Sequence, residues 1–418
     1  MYKALPVVIF LLLACTQQTP IKESDALKNS ALHMGEWLFN LEIDGGFIPF
    51  NSVFANTEEG LQWSVVNGEE QINVKEITIA GDSIKMQMPL FNSRYEGVID
   101  SDTTIHGYWF NTNKGLDYKI PFVARYGIKE RFKVSNQISQ DISGKWEVFF
   151  SPDSVDYCKA VGLFKQVGAN VTGTFLTETG DYRYLEGIAS GNQLQLSCFD
   201  GSHAFLFSAS LDENGILNGD FWSGIHWHEK WRAKRNADAE LTHPDSLTFV
   251  KESSHVSRLS FTGINKEPYA LDAPELKNKV LIIQILGSWC PNCADESRLF
   301  SEIYKTYHKN GLEIVGVSYE KSDNIDEAIV QIKHFKSQIG APYTFVYGGK
   351  VEKGAASKDF YMLSEITSFP TAVFVDRNGK IRRVHTGFYG PGTGEYYTRY
   401  KKDLISFLEE LLGESVNS

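Results

Sequence analysis

The chain has 418 residues, too many for one compact core and enough for two or three domains. Its apolar fraction of 42% and aromatic fraction of 13% are those of a folded protein, not of a disordered or collagen-like one. Asp and Glu outnumber Lys and Arg by 52 to 41, and no long basic run tracks a phosphate backbone, so nucleic acid is not an expected partner.

Residues 1–14 read as a secretory signal. Lys3 gives a short charged start, and Leu5 to Leu13 form an apolar stretch too short to span a bilayer. The stretch closes on Leu12-Leu13-Ala14-Cys15, which resembles the lipobox of bacterial lipoproteins. That resemblance implies cleavage before Cys15, lipidation of Cys15, and a place in the bacterial cell envelope on the extracytoplasmic, periplasm-facing side. Acyl chains would supply the anchor, at about 0.8 kcal/mol per buried methylene. The alternative is an ordinary signal or membrane anchor with an incidental Cys. Residues 15–30 are polar and aperiodic after Cys15 and read as a tether. Four cysteines then remain, Cys158, Cys198, Cys290 and Cys293, in a compartment where disulfides persist.

From residue 31 to 236 short runs rich in Val, Ile, Phe, Tyr and Trp alternate with Gly, Asn, Asp and Ser turns, which predicts an all-β region. The region repeats itself. Gly35-Glu36-Trp37 and Gly144-Lys145-Trp146 open two copies, and Gly107-Tyr108-Trp109 and Gly219-Asp220-Phe221 recur at nearly the same offset of about 110 residues. The expected division is a first β repeat at 31–136 and a second at 137–236, built as duplicated antiparallel barrels or sandwiches. Residues 237–254, polar and holding Pro244, read as a linker.

From 255 to 418 the pattern changes to alternating strand and helix, an α/β layer fold. Val280 to Leu286 is a continuous apolar run, as in a buried parallel strand. Leu299, Phe300, Ile303, Tyr304 and Tyr307 then recur at helical spacing. Leu312 to Tyr319, Tyr343 to Tyr347, Ala372 to Val375 and Ile381 to Thr386 read as strands, and Ile325 to Ile339 and Glu395 to Leu412 as helices.

Between the first strand and first helix lies Gly287-Ser288-Trp289-Cys290-Pro291-Asn292-Cys293, the context a redox dithiol needs. A helix N-terminus offers unpaired amides and partial positive charge that favour a thiolate. Pro291 suits the first turn, where its missing N–H is no loss. The i, i+3 spacing sets both sulfurs on one face, close enough to bridge. A structural zinc site would need two more ligands, and this part of the chain offers only scattered His308, His334 and His385, so no metal is expected.

The segment from about 255 to 413 resembles thioredoxin-fold proteins of the TlpA/ResA type, which are membrane-tethered extracytoplasmic thiol-disulfide oxidoreductases. The resemblance rests on Trp289-Cys290-Pro291-Asn292-Cys293, on Glu296 three places after the second Cys, on Gly311 to Ser318, and on Phe369-Pro370-Thr371 with Phe374 to Ile381. It implies that Cys290 attacks as thiolate and Cys293 resolves the mixed disulfide, and that Pro370 is cis. It also implies that the backbone of Phe369 is left to pair with an extended substrate and that Trp289 covers the disulfide. Glu320, at the end of a core strand, is an acidic group expected near the sulfurs, with a solvated loop carboxylate as the alternative. No cofactor is implied. The implied partners are disulfide- or thiol-bearing proteins of the cell envelope and a membrane electron donor, with this chain as reductant. Arg298 stands where the family often has Pro, so the usual helix kink is expected to be missing, and Ser368 stands where a Gly is frequent.

Two rival functions remain. One is a peroxide reductase of the same superfamily, which would need a Thr ahead of a peroxidatic Cys. The other is a binding lipoprotein whose β region does the work beside an accessory redox domain. His226 and His228 would share one face of a strand, and Gly390-Pro391-Gly392-Thr393-Gly394 reads as a turn. Whether Cys158 and Cys198 bridge is left open, because distance cannot be read from sequence.

Overall fold

The computed structural model describes residues 32–135, 140–251 and 259–415. The signal, Cys15 and the tether lie outside the described residues.

Nine antiparallel strands between Gly35 and Tyr126 form the first sheet, a meander whose opening strand Gly35–Ile43 pairs with both Gly46–Thr57 and Lys119–Tyr126. Its two edge strands, Glu70–Val74 and Ile77–Ala80, do not pair with each other, so this barrel is open along one seam. The second sheet, between Gly144 and Arg235, closes completely, because strand Cys158–Val167 pairs with Gly144–Phe150 on one side and Asn170–Thr177 on the other. Closure leaves no edge to template aggregation.

The repetition in the sequence is a repetition of structure. Trp37 and Trp146 are both buried, and each donates its indole N–H to the carbonyl four residues earlier, His33 and Ile142, at 2.9 Å. Gly107 and Gly219 occupy matching places where a Cβ would sit 2.1 Å from the carbonyl oxygen of the neighbouring strand, so only glycine fits. Strand Gln193–Phe199 serves both barrels. Leu194, Leu196 and Cys198 point into the closed barrel, whereas Phe199 packs in the core of the open one, stacked on Phe50 at 4.6 Å. This settles the open cysteine question: Cys198 is buried inside the barrel, Cys158 is exposed, and the two are unbridged.

The C-terminal sheet has seven strands in the order Pro268–Ala270, Ser260–Gly263, Thr344–Lys350, Leu312–Glu320, Val280–Leu286, Thr371–Val375, Ile381–Thr386. The central strand Val280–Leu286 is buried along its whole length, as its unbroken apolar run requires. Val280, Ile282 and Leu286 face helices Pro291–Tyr307, Ile325–Ile339 and Glu395–Gly413, while Leu281, Ile283 and Ile285 face Phe360, Leu363 and their neighbours. Helix Pro291–Tyr307 runs unbroken through Arg298.

Two expectations are corrected. The described part of the supposed linker is a packed strap: it holds a short helix, Pro244–Leu247, Asp245 bonds His385 at 2.6 Å, and Thr248 is buried against the Glu365 carbonyl and the Thr386 hydroxyl. Polarity there marks hydrogen-bond partners, not solvation. His226 and His228 do not share a strand face, and each finds ordinary hydrogen-bond partners. His226 lies in the turn before strand Trp227–Arg235 and meets Lys114 and Tyr118, whereas His228 bonds Asp220 and stacks on Trp222.

Candidate active site

Strand Val280–Leu286 delivers the chain to Gly287, and three residues later Cys290 caps helix Pro291–Tyr307. Its backbone is extended, and its Sγ lies 3.2 Å from the Cys293 amide that points out of the first turn. Cys290 and Cys293 are joined as a disulfide with their Cα atoms 5.2 Å apart, within the usual reach of such a bond. Cys293 is fully buried and Cys290 is 6% exposed, so Cys290 is the sulfur that solvent meets.

The surrounding residues hold that geometry from three sides. Ser288 donates its backbone N–H (3.1 Å) and its hydroxyl (2.6 Å) to Glu320, and Ser318 adds a third bond at 2.5 Å. Glu320 is therefore not a solvated loop carboxylate; it is 3% exposed and bonded to Ser288, which lies two residues before Cys290. Burial pushes its pKa up, and the bonds from Ser288 and Ser318 oppose that rise. Trp289 donates its indole N–H to the Tyr319 carbonyl at 2.9 Å, and Lys321 sits over the ring, 4.3 Å from its centroid. The Phe369–Pro370 peptide is cis, and the Phe369 carbonyl oxygen lies 3.6 Å from Cys290 Sγ.

Beneath the disulfide, Glu296 is fully buried. Its Oε2 accepts from Gln284 at 2.8 Å, and its Oε1 has no partner among the described residues. Burial raises its pKa to about 8, against the bond from Gln284 that favours the ionised form. Stability from the neutral carboxyl is thus intact below the ordinary value of 4.5 and is lost as pH rises towards about 8. Glu296→Gln, which cannot ionise, should melt near the unaltered protein at mildly acidic pH and clearly above it well past pH 8. There the ionised carboxylate costs roughly 4 kcal/mol. Parallel melting curves across that range would show that Glu296 is ionised throughout.

Nothing in the chain order points to what faces the disulfide. Cys290 opens into a cleft of about 470 Å³ whose far wall belongs to the barrels, with Asp181, Ser202, Trp227 and Glu229 from the second and Asn111, Asn113 and Lys114 from the first. Strand Asn170–Thr177 turns back through Gly180 so closely that a Cβ there would sit 2.1 Å from Asn292 Nδ2. Asn292 donates to the carbonyls of Asp181 (3.4 Å) and Phe388 (3.3 Å), Ser202 to that of Trp289 (3.4 Å), and Ser368 to that of Thr179 (3.1 Å). The Gly390 amide donates to Asp181 Oδ2 at 2.7 Å, so the glycine-rich turn docks the second barrel. The hidden signal was Arg183, buried between Glu70, Asp200 and Asp295, one carboxylate from each folded unit.

Residues 258–384 match the AhpC/TSA family. The C-terminal domain is thioredoxin-like. Among known proteins, it is similar to the thiol-disulfide oxidoreductase ResA of Halalkalibacterium halodurans, 27% identical over 129 residues, and to that of Geobacillus thermodenitrificans, 24% identical over 137. These matches cover 31% and 33% of this chain, and each spans 66% of the relative's own length, just under two thirds. A solved thioredoxin-family thiol:disulfide interchange protein from Chlorobium tepidum is 21% identical, with 39% of this chain and 99% of that one covered and a TM-score of 0.29. A thiol-disulfide isomerase from Corynebacterium glutamicum is 17% identical, with 39% and 99% covered and a TM-score of 0.31. Both barrels lie outside the matched family segment.

Proposed function

We propose that this chain is a thiol-disulfide oxidoreductase of the bacterial cell envelope, lipid-anchored through Cys15, in which Cys290 is the nucleophile and Cys293 the resolving thiol. The observation that carries the reading is the disulfide at the opening of helix Pro291–Tyr307, with only Cys290 turned to the cleft. In the reduced form the helix N-terminus stabilises a Cys290 thiolate, and the Cys293 amide already points at that sulfur. The thiolate attacks a substrate disulfide, one substrate thiolate leaves and takes a proton, and Cys293 then attacks Cys290 to release the other. Two electrons pass to the substrate and the chain is left oxidised, to be reset by a dithiol donor at the membrane. Trp289, Pro291, Phe369, Pro370 and Glu320 position the sulfurs. The peroxide reductase alternative lacks support at the site, since Ser288-Trp289, with no Thr, precedes Cys290.

The expected result in vitro is catalytic reduction of disulfides by the full-length protein supplied with a dithiol, lost in Cys290→Ser. In cells the protein should sediment with membranes through a salt wash, and Cys15→Ala should not. Turnover that survives in Cys290→Ser would sink the redox assignment, and membrane retention of Cys15→Ala would sink the lipid anchor.

A further inference from the structure

The cleft over Cys290 is lined by two carboxylates, Asp181 and Glu229, and two ammonium groups, Lys114 and Lys321. Its two acidic residues are already committed to the protein. Asp181 accepts from the backbone amides of Arg183 (2.6 Å) and Gly390 (2.7 Å), and Glu229 accepts from Trp227 Nε1 (2.9 Å) and the Ser151 hydroxyl (2.7 Å). Its two lysines are not so committed. Lys321 lies over the Trp289 ring, and Lys114 donates to the imidazole of His226 at 3.1 Å. Among the described residues neither has a carboxylate within 4 Å.

The groups around them set the charge of each. Burial lowers the pKa of His226 to about 4, with Lys114 and His203 adding to the effect, so at neutral pH it is an uncharged acceptor. Burial also lowers that of Lys114 to about 8, with Asp200 opposing and the charge of Lys321 adding to the fall. Asp200 itself is held by Arg183 and His203. Two ammonium groups from different folded units, Lys114 on the first barrel and Lys321 beside the redox centre, therefore share one cleft, and neither is ion-paired among the described residues. Burying a cation without a partner is costly, and a bound anion removes the cost.

We infer that the substrate of this cleft is a slender disulfide carrying carboxylates beside its sulfur, either a low-mass compound such as glutathione disulfide or the cysteine of an acidic peptide segment. This rests on the oxidoreductase reading above and adds the substrate class. The volume of about 470 Å³ is that of a small-ligand site. The barrel wall stands where a folded protein would have to approach Cys290. Lys114 and Lys321 take the carboxylates, the disulfide lies against Trp289 and Phe369, and Cys290 attacks the nearer sulfur. The balance is that of ordinary exchange: the dithiol loses two electrons, the substrate disulfide becomes two thiols, and each departing thiolate takes one proton.

The test is single-turnover oxidation of the reduced full-length protein by four probes at low salt: glutathione disulfide, a symmetrical cystine peptide with Glu on both sides of Cys, its Lys-flanked counterpart, and uncharged bis(2-hydroxyethyl) disulfide. The Glu peptide should react about ten-fold faster than the Lys peptide. That ratio should fall towards one at high salt and in the Lys114→Gln, Lys321→Gln double variant. Glutathione disulfide outpacing the Glu peptide identifies the low-mass source, and the reverse order the acidic segment. A ratio of one or less in the unaltered protein, or an unchanged ratio in the double variant, overturns the inference and leaves the oxidoreductase reading standing. If not even the uncharged disulfide reacts, the oxidoreductase reading itself has failed.

Discussion

Arg183→Met should destabilise the protein by roughly 3–5 kcal/mol and uncouple the barrels from the thioredoxin-like domain. The Arg183 side chain is 6% exposed; its Nη2 lies 2.5 Å from Glu70, its Nε 3.3 Å from Asp200, and its Nη1 bonds Asp295. Burial lowers the pKa of a guanidinium, but Asp295, Glu70, Asp200 and Asp181 outweigh it and push that of Arg183 well up, so the cation is permanent. Methionine fills similar volume but leaves carboxylates from three folded units buried together without a counter-charge. Burial already raises the pKa of Glu70, with Asp200 and Asp295 adding to the rise and Arg183 opposing it. Arg183 also has a left-handed backbone, φ 61°, uncommon for a residue with a long side chain, and the ion cluster holds it there. Denaturant unfolding should accordingly split from one transition into at least two. The deficit should shrink as pH falls, because protonating the stranded carboxylates relieves their repulsion. A loss below about 1 kcal/mol, in the range of exposed pairs, would show that the cluster is hydrated and carries little.

The same cluster shows what the sequence could and could not reveal. Trp289-Cys290-Pro291-Asn292-Cys293 was legible because its chemistry is local: strand, cap and first helical turn are adjacent in the chain. The helix behind it was legible from Leu299, Phe300 and Ile303, which repeat at the helical period and do pack in the core. The repeat showed because a buried Trp and a crowded Gly leave few substitutes at Trp37, Trp146, Gly107 and Gly219. The cleft did not show, because nothing in sequence links Lys114 to Lys321, or Arg183 to Asp295, which is 112 residues away. Residues 237–251 were misread for the same reason. Thr248 and Asp245 find their partners 117 and 140 residues later, so their polarity looked like that of a solvated linker.

Cys293→Ser should accumulate a covalent complex on Cys290, and Cys290→Ser should lose turnover by more than about a thousand-fold while trapping nothing. The asymmetry follows from burial: Cys293 is fully enclosed beneath the first turn, whereas Cys290 borders the cleft. With Cys290 as the thiolate, attack proceeds from the cleft and the mixed disulfide forms where only Cys293, one turn away, can displace it. Serine at 293 keeps the approximate shape of the thiol but cannot displace sulfur, so the intermediate persists until an external thiol enters a cleft walled by Asp181, Ser202 and Trp227. Release by dithiothreitol should therefore be slower from Cys293→Ser than from the Cys293→Ser, Arg183→Met double variant, in which the barrel wall is loosened. The measurement is non-reducing mass analysis of the variant after exposure to a cystine peptide, with the adduct mapped by digestion. An adduct on Cys293 in Cys290→Ser, at a rate comparable to that on Cys290 in Cys293→Ser, would reverse the order of attack and require the first helical turn to open.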